Sequence, residues 1–234
     1  MNNFEGIIIK SINYSDSSKI IYLMTPTGIE SLLAKGARKT KSKIRHLTQI
    51  MTKISYNKTR STNLPILISG DIVNDYNDIK TDLEAQTYAS HIFEIVYKTS
   101  AELDFVRLYD FLSKTLDKII ENKDPEFMSF VFELKYLYLM GLGPIFKHCA
   151  ECDSVERVGF DAYKGGVVCK EHSGTFTITE QSIVLGLYKL YFYQYDGLFD
   201  IDRRQIRSVI DNYYDHFLNY KSKSREIIKN IYGY

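Results

Sequence analysis

Four residues constrain this chain more than anything else in it. They are Cys149-x-x-Cys152 and Cys169-x-x-His172, with sixteen residues between the two pairs. All three cysteines of the protein fall in this set. A two-residue spacer makes a tight turn that lets both side chains of a pair face one ion, and two such turns complete a tetrahedron. Three thiolates and an imidazole fill every position, so the expected metal is a structural Zn2+ with no open place for a substrate water. Three buried or free thiols are the alternative. Two x-x pairs at this separation, with no cysteine elsewhere, favour the metal. His148 stands next to Cys149 as a rival ligand. The geometry of the Cys-x-x-Cys turn favours Cys149 and leaves His148 beside the site.

With 234 residues the chain has material for one large or two modest domains. Its 44% hydrophobic and 25% charged residues are those of an ordinary globular protein. No charged-then-apolar leader opens it, and no apolar run approaches the ~18 residues that span a bilayer. A cysteine set of metal type fits a reducing compartment, so the expected location is the cytoplasm, with no membrane partner. Net charge is only +1, but it is unevenly spread. Between Ser31 and Gly70 lie nine Lys or Arg and no Asp or Glu, so the remainder is net acidic by about eight charges. Such segregation suggests a surface for a polyanion. A solvated basic loop without a ligand is the competing reading.

The expected fold class is α+β: an OB-type β-barrel over residues 1–80, then a helical bundle over 81–234 with the zinc segment 149–172 inserted in it. Five short strands carry the barrel: Phe4–Ile12, Lys19–Met24, Ile29–Ala34, Ile50–Tyr56 and Leu64–Ile68. An SH3-like barrel fits the same pattern. At Thr81 the period changes, and Thr81-Asp-Leu-Glu84 reads as a capping box for a helix running to about Lys98. Leu103, Val106, Tyr109, Leu112, Leu116 and Ile119 mark a second helix. Asp124-Pro125 opens a third, apolar around much of its circumference and therefore expected to be central and buried. A hairpin is expected over Val158–Val168. Helices follow over Thr179 to about Tyr193, after Asp202, and at the basic C-terminus.

Catalytic signals are poor. There is no phosphate loop, no nucleophile elbow and no His-Glu-x-x-His pair. A zinc deaminase needs His-x-Glu ahead of Pro-Cys-x-x-Cys and an open metal position; here His148 precedes Cys149 and the ligand set is full. Glu151, between the cysteines, reads as a solvated turn residue. The expectation is a protein that is not an enzyme, with no catalytic residue. Nucleic-acid binding has better support. Lys35, Arg38, Lys39, Lys41, Lys43 and Arg45 lie between the third and fourth strands, where cations can neutralise phosphates and release counterions. Tyr14, Tyr22 and Tyr56 are candidates to stack unpaired bases, against ordinary strand packing as the alternative for each. Lys221, Lys223, Arg225 and Lys229 form a weaker basic stretch that extends a DNA path or complements a helix dipole. The aromatic run Tyr188, Tyr191, Phe192, Tyr193 and Tyr195 is expected in the bundle core.

Over essentially its full length the chain resembles RecO, a bacterial family of recombination mediators. Gly6-Ile-Ile-Ile-Lys-Ser and Asp16-Ser-Ser-Lys-Ile-Ile look like the family's opening strands. Thr27-Gly-Ile-Glu with Leu33-Ala-Lys-Gly-Ala-Arg-Lys resembles its third OB strand and basic loop. Gly141-Leu-Gly-Pro144 with the two ligand pairs resembles its bundle helix and zinc segment. The resemblance implies binding of single- and double-stranded DNA, and annealing of complementary strands. It implies loading of RecA onto DNA coated by single-strand-binding protein (SSB), with RecR as partner, and contact with the SSB C-terminal tail. It places DNA contact on the six cations from Lys35 to Arg45, in a cytoplasmic, nucleoid-associated protein of bacteria. Two rivals remain: a zinc-containing regulator that reads specific duplex DNA, and a protein-interaction scaffold.

Overall fold

The computed structural model describes residues 4–61, 63–100 and 103–233. The chain divides into two compact units, Met1–Lys123 and Asp124–Tyr234.

The first unit is built on a five-stranded antiparallel sheet of order β3-β2-β1-β4-β5. Its strands are β1 (Phe4–Tyr14), β2 (Ser18–Thr25), β3 (Gly28–Ala34), β4 (Lys53–Lys58) and β5 (Leu67–Asn74). The two edge strands approach each other: Leu33 forms a parallel bridge with Ile66, and its N–H donates to Pro65 O at 2.8 Å. Every strand contributes to one apolar cluster, through Ile8, Ile21, Leu23, Leu32, Ala34, Ile54, Tyr56 and Leu67. A bulge between Ile8 and Lys10 breaks the β1–β2 register. Ile7, Ile8 and Ile9 are all buried, which the period of two permits only where both faces of the strand are covered. Helix α2 (Leu83–Thr99) packs against β1 and supplies the second cover.

Two further helices complete this unit, α1 (Asn77–Thr81) and α3 (Phe105–Asn122). The short α1 moves the start of α2. Asp82, not Thr81, is the N-cap, its carboxylate accepting from Ala85 N–H at 2.9 Å. Thr81 Oγ1 instead donates back to Asn77 O within α1. β5 likewise begins later than the sequence suggests and runs to Asn74. Pro65 donates nothing to a ladder, so it precedes the strand and offers only its carbonyl.

The second unit holds α4 (Pro125–Leu139), α5 (Gln181–Tyr191), α6 (Arg203–Leu218) and α7 (Lys223–Tyr232). Asp124 caps α4 by accepting from Phe127 N–H at 3.0 Å, and Pro125 sits where a missing N–H costs nothing. As expected of a helix apolar all round, α4 is the buried one, covered from Pro125 through Leu134 and at Tyr136 and Leu137. Its two buried carboxylates are met by α6. Arg207 grips Glu133 with Nη1 and Nη2 at 2.9 and 2.7 Å, and both side chains are almost fully enclosed. Arg203 reaches Glu126 and Asp124. Of the aromatic run at the end of α5 and just beyond it, Tyr193 is buried while Tyr188 and Phe192 are exposed, so only part of it serves the core.

The basic C-terminal stretch also serves structure. Arg225 is 5% exposed and bonds Asp215 at 2.6 Å and Asp211 at 3.1 Å, and Lys229 reaches Asp211 at 3.4 Å. Two of the four cations expected to extend a DNA path or complement a helix dipole therefore pair with α6.

Candidate nucleic-acid interface and metal centre

The metal candidate grows from the chain leaving α4. Residues 145–150 run beside β7 (Gly166–Val168), with Val167 N–H donating to Ile145 O and Ala150 N–H to Val167 O, both at 2.8 Å. Strand β6 (Gly159–Asp161) pairs with β7 on one side and with Ile178 on the other. The expected hairpin is thus the middle of a small sheet. A Cβ at Gly166 would lie 2.3 Å from Ile145 O, and one at Gly159 would lie 2.4 Å from Ile178 O. Those close approaches admit only glycine.

This sheet brings the two ligand pairs together. Cys149 lies near the end of the 145–150 segment, and its N–H donates to Ser154 O at 2.8 Å, closing the Cys-x-x-Cys turn. Cys169 leaves β7 into the single 3-10 turn Lys170–His172, where His172 N–H donates to Cys169 O at 3.1 Å. The four ligand atoms lie within 4.8 Å of one another. Cys149 Sγ is 3.6 Å and Cys169 Sγ 3.2 Å from His172 Nδ1, and Cys152 Sγ is 3.9 Å from Cys169 Sγ. A zinc tetrahedron has S–S edges of about 3.8 Å and S–N edges of about 3.5 Å, so the donor set fits such an ion. Burial works to raise the Cys149 thiol, but backbone N–H groups of Cys169, Glu151 and Cys152 outweigh it and bring the thiol down to about 6. At Cys152 the Ser154 backbone works to lower the thiol, but burial and the Cys149 and Cys169 sulfurs outweigh it and raise it, so the two crowded thiols shift in opposite directions. His148 stays outside the cluster, its Nδ1 3.0 Å from Cys149 O. Glu151 is exposed.

The basic loop joins β3 to β4. Its cations and its anchors are interleaved. Ala37 and Leu47 are buried in the sheet's apolar cluster, and Ile44 packs against it. Lys35, Arg38, Lys39, Lys41, Lys43 and Arg45 are all exposed. Among the described residues none of the six forms an ion pair. Successive tight turns hold this pattern, with Lys39 N–H donating to Gly36 O, Ser42 N–H to Lys39 O and Leu47 N–H to Ile44 O. Gly36, at φ +70°, starts the first of them. The loop is also tied to the β1–β2 turn. Arg38 N–H donates to Ser17 O at 2.9 Å, Arg38 Nη1 to Ser15 O at 2.8 Å, and Gly36 N–H to Ser18 Oγ at 3.3 Å. Six cations without an ion pair on an anchored loop form a positive surface.

The three tyrosines near it differ. Tyr56 is 0% exposed and donates to Glu30 Oε2 at 2.5 Å, and burial with that carboxylate raises its phenol. It is a core residue and does not stack bases. Tyr22 is half-buried and meets Tyr97 edge-on at 5.2 Å, with the Lys10 ammonium 3.9 Å from the Tyr97 ring centre. Tyr14 alone is exposed, at 50%.

Two family models match the chain. Residues 1–76 match the N-terminal domain of recombination protein O, and residues 80–226 match its C-terminal domain. The chain belongs to the RecO family. The DNA repair protein RecO of Bacillus cytotoxicus is 30% identical to it, over 97% of this chain and 96% of that protein. The proteins of the same description from Bacillus cereus and Bacillus anthracis are 29% identical, over the same shares. Membership supports a role in DNA repair and recombination. No helix among the described residues is long and apolar enough to cross a membrane.

Proposed function

We propose that this chain is a DNA-binding recombination mediator of the cytoplasm and not a turnover enzyme. It binds single- and double-stranded DNA through the first unit, anneals complementary strands, and with a RecR-like partner helps load RecA onto SSB-coated DNA, touching the SSB tail. The observation that carries this reading is the anchored loop with six exposed, unpaired cations, in a chain of the RecO family. The strand order, the shared apolar cluster and the Leu33–Ile66 bridge support an OB-type barrel beneath the loop.

Lys35, Arg38, Lys39, Lys41, Lys43 and Arg45 hold phosphates. Two strands bound to one such surface repel each other less and meet at a raised local concentration. Pairing itself releases the free energy, so no hydrolysis is needed. Zn2+ is the ion that Cys149, Cys152, Cys169 and His172 hold, and with four protein ligands it supplies shape rather than an activated water. The segment after Cys169 is one 3-10 turn, which offers no recognition helix for a major groove and weighs against a sequence-specific regulator.

The test is annealing of complementary oligonucleotides without ATP. The wild-type chain should accelerate annealing. The variant Arg38→Ala, Lys39→Ala, Lys41→Ala, Lys43→Ala should keep its thermal midpoint and lose most of that acceleration. Annealing unaltered by the four substitutions would remove the loop from the mechanism.

A further inference from the structure

We infer that Tyr14 receives an unpaired base from a single strand whose phosphates lie on the basic loop, and so adds to the surface a contact that only single strands make. The inference rests on the DNA-binding reading above and deepens it.

Tyr14 ends β1, opposite Ser18 in the β1–β2 hairpin. The residue is 50% exposed, and among the described residues its side chain makes no hydrogen bond or ring contact. A single exposed aromatic ring is ordinary. The position of this one is not, because the turn that follows it is the part of the sheet to which the loop is tied. Arg38 bonds Ser15 O and Ser17 O, and Gly36 bonds the Ser18 hydroxyl. Ser15 adopts φ +53°, a left-handed conformation that a non-glycine residue holds only under local constraint. The ring is therefore carried on a fixed turn beside the cations. Ile12, two residues back and on the same side of the strand, is 39% exposed and extends the apolar floor.

A cationic track with an adjacent free ring is what sequence-tolerant single-strand binding requires, since every base has a π-face. In a duplex those faces are stacked on their neighbours. The loop therefore serves both forms of DNA, and the ring serves one. Tyr22 and Tyr56 cannot share this role, the first being engaged with Tyr97 and the second enclosed.

The chain contains no tryptophan, so Tyr14→Trp places one fluorophore at the site. Titrating this full-length variant with oligothymidylate should quench its emission, and titrating it with duplex of equal length should not. In anisotropy with labelled probes, Tyr14→Ala should weaken single-strand binding roughly 5- to 50-fold. Duplex affinity should stay within about two-fold, because phosphate contacts are untouched. Tyr14→Phe should bind single strands as the wild type does. Unchanged emission of the Tyr14→Trp variant while it binds oligothymidylate would overturn the inference and leave the loop's role standing. So would equal losses on both probes for Tyr14→Ala. Failure of the wild type to bind either probe at low salt would overturn both readings.

Discussion

Removing one sulfur from the Cys149, Cys152, Cys169 and His172 cluster leaves three donors at a site whose strands share one short ladder. Metal binding at such a site is coupled to folding. We expect Cys169→Ser to purify with little bound zinc and to lose about 3 kcal/mol or more of stability in the second unit. Metal analysis beside denaturant unfolding checks this, and an unchanged metal content would refute the ligand assignment. The clustering of these four side chains was legible in the sequence because the information is local: two x-x spacers and one separation name the set. The fates of Tyr56 and Arg225 were not. Tyr56 was open between base stacking and strand packing and Arg225 between a DNA path and a helix dipole, and each is enclosed with a partner outside its own element, Glu30 and Asp211 respectively.

The element that governs the second unit is α4. Its apolar circumference announced burial, but Glu126 and Glu133 lie inside it, and the arginines of α6, with Ser129 of α4 itself, explain how they are tolerated. Removing one member of a buried ion pair strands the other charge. Arg207→Leu should therefore cost about 3–5 kcal/mol. Adding Glu133→Met should recover much of that loss, and equal stability of the single and double variants would deny the pairing its importance. Asp124 carries a pH signature at the start of the same helix. Burial works to raise its carboxyl, and the Arg203 and Phe127 donors outweigh it, holding it below the ordinary range. The folded carboxyl then titrates below the unfolded one, whose value is about 4. Its contribution is present above that value and is lost as pH falls through the lower folded one. Asp124→Asn should lose stability at neutral pH and show a flatter acid limb in urea midpoints measured against pH. Element boundaries were less legible than element types. The capping residue of α2 shifts by one because α1 occupies Thr81, and β5 shifts because its pairing with β4 sets its register.

At the scale of the whole chain, charge separation was readable from composition along the sequence, and its meaning was not. Nine cations without an acid describe a tail, a solvated loop or a binding surface equally well. The interleaving of Ala37, Ile44 and Leu47 with the cations excludes the free tail, because apolar anchors fix the loop against the sheet and turn the charges outward. Neutralising phosphates releases counterions, so affinity falls with salt at about 0.7 log units per contact for a single strand, per tenfold rise in salt. The measurement that tests this most directly is single-strand affinity by anisotropy from low to moderate salt. It should be made on the wild type and on the chain with Arg38, Lys39, Lys41 and Lys43 replaced by alanine. We expect a steep wild-type slope that becomes shallower by about 3 in the variant, with little dependence on sequence. The same slope for both chains, or binding insensitive to salt, would contradict the basic loop as the DNA-binding surface.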